Sequence, residues 1–225
     1  MRRIALHVLM GGVIMVIISL FIIIFNVRWQ GMMGITGLVT SNITVNTTLE
    51  VVNWTIANCS FYLYPGWNLV SFYCLPSTSR DEALQPIDGL YDSIFTYDNE
   101  EKEWKAYNPD LPSYVIQDLD TIDRKHAYWI NMKQGVSYKK QGYKSIYTSI
   151  PLYVGWNLVG YPTNTTINAT SGLSTLDFNI TWTYNNSEKK WYYYVNVSNY
   201  TFIIMHPYTG YWVLSNKQQN WLVDW

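Results

Sequence analysis

The sequence carries little charge. Only 14% of its 225 residues are Asp, Glu, Lys or Arg, and the formal net charge is −1 at pH 7. Nucleic-acid binding needs clustered Lys and Arg to meet the phosphates, and no such basic field exists here. The low charge also argues against a disordered chain or a coiled coil. We therefore expect a folded body that does not bind nucleic acid.

The residue types of catalytic and metal sites are also scarce. His7, His126 and His206 are the three histidines, and none has a Cys or a second His at ligand spacing. No glycine-rich phosphate loop, Gly-x-Ser-x-Gly elbow or His-Glu-x-x-His helix is present. The sequence predicts no enzyme activity, no cofactor and no metal, although distant residues could still assemble a catalytic group.

One long apolar run stands at the N-terminus. Ile4–Phe25 is free of formal charge at neutral pH, and its 22 residues would span about 33 Å as a helix against a hydrocarbon core of about 30 Å. Arg2 and Arg3 precede it, and Trp29 follows it at the position expected for the membrane–water interface. This pattern predicts a single transmembrane helix in a cell membrane, with a cytoplasmic N-terminus and an extracellular body.

Two alternatives to this anchor are open. A cleaved signal peptide would have a shorter apolar region of about 7–15 residues, followed by small residues at a cleavage site. A pilin-like stem also begins with basic residues that are followed by an apolar run, but no convincing processing site lies between the two here. We favour the uncleaved anchor.

Asparagines in Asn-x-Ser/Thr sequons are numerous, and all follow the apolar run. Such acceptors are typical of chains that face a glycosylating compartment, which agrees with an external body. Incidental sequons in Asn- and Thr-rich loops are the alternative. The ten are Asn42, Asn46, Asn53, Asn58, Asn164, Asn168, Asn179, Asn185, Asn196 and Asn199, of which Asn58 is a poor acceptor because cysteine follows it.

Cys59 and Cys74 are the two cysteines, and both lie on the predicted external side. A pair in an oxidising compartment predicts one disulfide, which would close a loop of about 15 residues and contribute about 3 kcal/mol. Two buried free thiols are the alternative. The second half of the chain has no matching pair.

Three sequence blocks occur twice, in the same order, at offsets of 89, 87 and 83 residues. Recurrence of this kind indicates duplicated structural units. The shared residues are aromatic, aliphatic and turn-forming, which favours a repeated fold over a repeated active site. The pairs are Gly66–Val70 with Gly155–Val159, Phe95–Tyr107 with Trp182–Tyr194, and Ala127–Ile130 with Gly210–Val213.

Each block predicts β structure. The first and third predict single strands, the first after a glycine turn, and the second predicts a hairpin with a polar tip. The fold class is therefore an N-terminal transmembrane helix followed by an all-β body of two related, small sandwich- or barrel-like domains. The expected divisions are 1–29 for the cytoplasmic tip and membrane helix, 30–62 for a glycine hinge and an Asn/Thr-rich strand, 63–149 for repeat one and 150–225 for repeat two.

The three blocks resemble tandem β-repeat modules of archaeal and bacterial cell-surface proteins. In those modules Gly-Trp-Asn-Leu-(Ile/Val) opens the repeat, a Tyr-(Asp/Asn)…Trp hairpin follows, and Gly-Tyr-Trp-(Ile/Val) closes it. Repeat one departs from this pattern at Ala127, where repeat two has Gly210. The resemblance implies a small β domain on an exported protein and does not imply a ligand.

Aromatic residues are the best candidates for binding. In the strand predicted around Trp191, alternate residues face opposite sides, and a small module cannot easily bury both sides. Packing against the other repeat is the alternative. The candidate binding residues are Trp191, Tyr192, Tyr193 and Tyr194.

The expected partners are the lipid bilayer and envelope proteins or surface glycans. We expect a structural or interaction role in the cell envelope. A carbohydrate-binding or adhesin module that uses exposed Tyr and Trp is the alternative, and a pilin-like filament subunit is the third.

Overall fold

A computed structural model describes residues 55–112, 114–195, 201–202 and 204–225. The apolar run Ile4–Phe25 and the sequons at Asn42, Asn46 and Asn53 lie outside the described residues. Within the described ranges, no helix combines the length and the hydropathy that a membrane span needs. These ranges are mostly β-strand with two short helices, which confirms the all-β prediction for this part of the chain.

The described residues of repeat one form eight strands. They are β1 (Thr55–Leu63), β2 (Gly66–Ser71), β3 (Thr78–Ser79), β4 (Tyr91–Asp98), β5 (Glu103–Tyr107), β6 (Thr121–Ile122), β7 (Ala127–Met132) and β8 (Val136–Lys144). All pairings are antiparallel: β2-β7-β4-β5 form a four-stranded sheet, β1 pairs with β8, and β3 pairs with β6. Helix α1 (Arg80–Leu84) and a 3₁₀ turn (Gln85–Ile87) follow β3.

Repeat two has the same order of elements. Its strands are β9 (Tyr147–Leu152), β10 (Gly155–Val159), β11 (Ile167–Asn168), β12 (Phe178–Asn185), β13 (Lys190–Tyr194), β14 (Ile204–Met205), β15 (Tyr211–Ser215) and β16 (Gln219–Asp224), and helix α2 (Ala169–Gly172) follows β11. The sheets are β10-β15-β12-β13, β9 with β16, and β11 with β14. The two repeats therefore share one topology.

The predicted blocks correspond to particular strands. The Gly-Trp-Asn-Leu-Val blocks form β2 and β10, the hairpins are β4–β5 and β12–β13, and the third blocks lie in β7 and β15. The repeats begin earlier than the divisions at 63 and 150, because β1 starts at Thr55 and β9 starts at Tyr147. The first strand of each repeat pairs with its last strand, which the block pattern did not indicate.

Each repeat has its own hydrophobic core between its two-stranded and four-stranded sheets. Equivalent positions hold large rings: Tyr138 and Trp221 are both fully buried, and each donates a hydrogen bond to a carbonyl of the short helix, at Ala83 and Gly172. These bonds satisfy the polar atom that each ring takes into the core. Two unlike aromatic residues thus fill the same place.

Gly-Trp-Asn-Leu-Val is a turn followed by a strand. Gly66 and Gly155 adopt φ of 77° and 90°, a region that residues with a Cβ disfavour. Asn68 accepts a hydrogen bond from Tyr64 N and donates to Tyr64 O and Gly66 O, and Asn157 makes the equivalent three bonds. The glycine and the asparagine of each block therefore fix the turn.

Candidate functional site

The tip of each hairpin crosses to the other repeat. Asn99, in the β4–β5 turn, accepts from Leu158 N at 2.7 Å and donates to Leu158 O at 3.1 Å. Asn186, in the β12–β13 turn, makes the reciprocal pair with Leu69, at 2.7 and 3.2 Å. The side-chain amide of each asparagine pairs with the backbone of the other repeat as a neighbouring strand would. Because the two repeats make this contact reciprocally, it has pseudo-twofold symmetry.

Two lysines add further hydrogen bonds between the hairpin turns and the opposite repeat. Lys102 and Lys189 occupy the turns with φ of 61° and 57°. Their ammonium groups donate to the backbone oxygens of Trp156 and Trp67, at 3.0 and 2.8 Å. Partial burial lowers the pKa of both lysines. The strand that carries Gly-Trp-Asn-Leu-Val in one repeat is therefore the docking strand for the hairpin of the other.

A small apolar cluster lies where the repeats meet. Leu69, Ala127 and Leu158 are fully buried there, with four larger rings packed around them: Tyr97, Trp129, Tyr184 and Trp212. Gly210 also belongs to this contact, because a Cβ on it would lie 2.5 Å from the Ala127 Cβ. The contact is thus packed too closely to hold two methyl groups, which explains why repeat one has Ala where repeat two has Gly.

Two open grooves lie on the sheet faces beside this contact, and they are equivalent. Groove A, of about 560 Å³, is lined by Tyr97, Trp156, Trp182, Trp191 and Trp212. Groove B, of about 550 Å³, is lined by Trp67, Phe95, Trp104, Trp129 and Tyr184. Each groove takes four rings from one repeat and one tyrosine from the other, so neither repeat alone completes its groove.

The groove tryptophans are more exposed than core residues. Trp67, Trp104, Trp156 and Trp191 are 43%, 49%, 39% and 47% exposed. Neighbouring rings pack edge to face: the planes of Trp67 and Trp129 meet at 82°, and those of Trp156 and Trp212 meet at 88°. Within the described residues, no hydrogen bond from a groove indole N–H is formed, whereas Trp221 in the core donates to Gly172. The grooves therefore combine apolar faces with indole N–H donors that no described residue engages.

The four predicted binding residues divide between surface and core. Trp191 lines groove A, and the ring of Tyr193 lies 5.1 Å from that of Trp182. Tyr192 is half-buried and its hydroxyl donates to Glu188. Tyr194 does not belong to a binding surface: it is 4% exposed and packs against Phe178, because strand alternation turns it into the core of repeat two.

The other groove residues were not among the predicted binding residues. Trp67 and Trp156 belong to the blocks predicted to form a repeated fold, and they also line the grooves. The signal that was missed is the alternation of side chains along a strand. In β2, Trp67 and Leu69 share one face, and Asn68 and Val70 share the other. Aromatic residues of β4 and β7 fall on the same face as Trp67.

The described sequon asparagines lie at the surface, and the two cysteines lie in the core of repeat one. Asn58, Asn164, Asn168 and Asn179 are exposed, and Asn185 is half-buried in its turn. Asn196 and Asn199 lie outside the described residues, as do the three sequons before β1. A disulfide joins Cys59 and Cys74, which are fully buried in the core of repeat one.

The two described histidines, His126 and His206, lie in different repeats. His126 Nδ1 lies 2.8 Å from Asp123 Oδ1, and His206 stacks on Tyr208. In the ranges that the structure describes, no three His, Cys, Asp or Glu side chains are grouped as metal ligands would be.

Comparisons with protein-family models, with curated proteins and with solved structures find no match to this chain.

Proposed function

We propose that this chain is a single-pass surface protein whose glycosylated extracellular body binds carbohydrate through grooves A and B. The observation that carries the binding proposal is the set of exposed tryptophans in two equivalent grooves, whose indole N–H groups donate to none of the described residues. The apolar run, the arginines before it and the sequons after it support the location. Each repeat is a small sandwich-like module of the kind found in the surface proteins that it resembles.

Sugar chemistry matches these grooves. A pyranose ring offers an apolar C–H face that packs on an aromatic ring, and hydroxyls that accept from indole N–H groups. A purely apolar ligand would leave those donors without partners, which costs free energy when they are desolvated.

The pseudo-twofold arrangement suits a repetitive ligand. Two equivalent grooves on one body allow a polysaccharide or a glycosylated surface to engage both at once, and avidity then exceeds the affinity of either groove.

A structural role in the envelope is the second candidate. The same exposed rings could be covered by another copy of the chain, as in an assembled surface layer. Self-association that depends on the groove tryptophans, without glycan binding, would favour this role over carbohydrate recognition.

The test uses the purified full chain in detergent. We expect hits on a glycan array, and calorimetry with the best oligosaccharide should give two sites per chain. Trp156→Ala should remove groove A and Trp67→Ala groove B, each reducing the number of sites from two to one. The control is Tyr114→Ala, which removes a ring that is 83% exposed and outside both grooves. No hit on the array, or unchanged binding in both tryptophan variants, would refute the proposal.

The location has its own test. Protease treatment of intact cells should release the body and leave residues 1–29 in the membrane. A mature chain that begins after the apolar run would show that the anchor is cleaved.

A further inference from the structure

The two grooves are equivalent in their rings, but they differ at one end. In groove B, Asn131 of β7 lies directly opposite Trp67 of β2, and Ser93 of β4 lies opposite Asn131. Residues that lie directly opposite each other in an antiparallel pair share a sheet face, with Cβ atoms about 4.5–5.5 Å apart. The groove face of the sheet is therefore polar immediately beside Trp67.

Two charged residues lie next to Asn131. Asp92 Oδ2 accepts a hydrogen bond from Asn131 Nδ2 at 3.3 Å, and Lys133 Nζ lies 3.8 Å from Asp92 Oδ1. Lys133 Nζ also donates to Asp110 Oδ2 at 3.3 Å. The register between β4 and β7 shifts at Asp92, and such bulges redirect side chains. We refer to Asp92, Asn131 and Lys133 as the polar end of groove B.

The polar end is accessible and can form more hydrogen bonds than it does. The side chains of Asp92 and Lys133 are 47% and 40% exposed, and Asn131 is half-buried. Among the described residues, Asp92 accepts one hydrogen bond, whereas a carboxylate can accept about four. None of the described residues donates to Asn131 Oδ1. Both side chains can therefore bond to a ligand and keep the bond between them.

Groove A has different residues at the equivalent place. Leu214 stands 83 residues after Asn131 and lies directly opposite Trp156. Asn179, a sequon asparagine, stands 87 residues after Asp92. An apolar side chain and a neutral amide thus replace the amide and the carboxylate of groove B.

A carboxylate of repeat two lies beyond this place. Asp177 accepts a hydrogen bond from Asn216 at 2.7 Å and forms an ion pair with Lys217 at 3.6 Å. Asn216 follows the end of β15, whereas Leu214 lies within that strand opposite Trp156. The Leu214 side chain therefore lies between Trp156 and the Asp177 group, and groove A has no counterpart of the Asp92–Asn131 pair among its described residues.

Polar groups at the edge of an aromatic groove determine which ligand it selects. Stacking on an indole uses the C–H face that most pyranose rings offer, so it discriminates little between sugars. Orientation and specificity in an apolar site come from a few placed polar groups. A site that hydrogen-bonds to a hydroxyl rejects a ligand that lacks it, because the polar groups of the site would remain unpaired.

We propose that groove B is the selective one of the two grooves, and that Asp92 and Asn131 determine its specificity. They would accept hydrogen bonds from neighbouring hydroxyls of a sugar that stacks on Trp67. This inference rests on the proposed carbohydrate binding and names the ligand class more closely. The sugar is neutral, because Asp92 and Asp110 outnumber Lys133 and leave excess negative charge that disfavours an anionic sugar.

The experiment is calorimetry of the full chain in detergent, produced without glycans so that Asn179 beside groove A carries none. The probes are cellotetraose, mannotetraose and chitotetraose, which are neutral, and tetragalacturonate, which is anionic. We expect at least one neutral probe to bind at two sites whose dissociation constants differ about tenfold or more. Trp67→Ala should remove the tighter site, and Trp156→Ala the weaker one. Tight binding of tetragalacturonate at groove B would contradict the role of Asp92.

Two variants give groove B the residues of groove A. Asp92→Asn and Asn131→Leu should each weaken the tighter site about tenfold and leave the weaker site unchanged. Asp110→Asn is the matched control, because Asp110 also pairs with Lys133 but does not contact Asn131. It should change the affinity by less than about twofold.

The reverse variant gives groove A a polar end. Leu214→Asn combined with Asn179→Asp should strengthen the weaker site about three- to tenfold, a gain that misfolding cannot produce. Equal affinities of the two wild-type sites, or a tighter site that neither Asp92→Asn nor Asn131→Leu alters, would overturn this inference while carbohydrate binding still stood. Absence of binding by every probe and every glycan of the array would instead refute the proposed function, and this inference with it.

Discussion

Gly210 of repeat two lies against Ala127 of repeat one, and a Cβ on Gly210 would stand 2.5 Å from the Ala127 Cβ. Contacts of this closeness do not occur between real Cβ atoms, so one side of the pair must lack a methyl group. The two repeats are therefore complementary at their contact rather than identical, and this pair gives the first prediction.

Gly210→Ala should destabilise the protein by about 1–3 kcal/mol through overpacking. The double variant Ala127→Gly/Gly210→Ala should recover at least half of that loss, because the methyl group moves to the other side of the contact. Leu69, 2.9 Å from the same Cβ, must still shift and keeps the recovery incomplete. Denaturant unfolding of both single variants and the double variant measures this coupling. Strictly additive losses would contradict the proposed contact.

The asparagines at the hairpin tips should contribute more to the free energy of unfolding than ordinary turn residues do. Asn99→Ala leaves the buried N–H and C=O of Leu158 without partners, at a cost of about 1–3 kcal/mol in the free energy of unfolding. Asn186→Ala should cost a similar amount through Leu69. Asn216→Ala, at an exposed asparagine, is the control and should change stability by no more than about 0.5 kcal/mol. Equal effects at all three positions would argue against the crossing.

The disulfide should stabilise repeat one by about 3 kcal/mol through its effect on the unfolded chain. Repeat two has Thr148 and Thr163 at the positions equivalent to Cys59 and Cys74. The variant Cys59→Thr/Cys74→Thr should therefore fold with the same sheets and unfold at lower denaturant. Reduction should destabilise the wild type and leave this variant unaffected. A wild type that is indifferent to reductant would contradict the prediction.

The His126–Asp123 pair predicts a pH dependence of stability. Burial lowers the pKa of His126, but the hydrogen bond and the charge of Asp123 outweigh burial and leave the pKa above its usual value. The stabilisation is then fully present below the unfolded pKa of about 6.5 and is lost as pH rises through the higher folded pKa. His126→Gln should abolish this loss in the free energy of unfolding.

His206 is the matched control for this titration. Burial lowers the pKa of His206, so its contribution has the opposite sign and favours the folded state as pH rises through about 6.5. His206→Gln should therefore make the decrease of stability with pH steeper. Unfolding curves between about pH 5 and pH 9 measure both variants. Indistinguishable pH profiles for the two variants would contradict the assignment.

Much of the β structure was predictable because it depends on local patterns. The glycine turns at Gly66 and Gly155 and the polar hairpin tips are encoded by residues close together in sequence. The pairing of β1 with β8 was not predictable in this way, because it joins the two ends of a repeat. The grooves were also hidden, since Tyr97 and Tyr184 reach them from the opposite repeat.

The sequence by itself determined the duplicated β-strand pattern, the low charge and the apolar run on which the proposed membrane location depends. Only the tertiary structure decided how the two copies contact each other and which surfaces they form together. Hydrogen bonds from Asn99 and Asn186 dock each hairpin on the other repeat, and this docking completes two tryptophan grooves. Contacts between residues some 60 to 120 positions apart create these features. No local pattern can specify such contacts, because they exist only once both repeats have folded against each other.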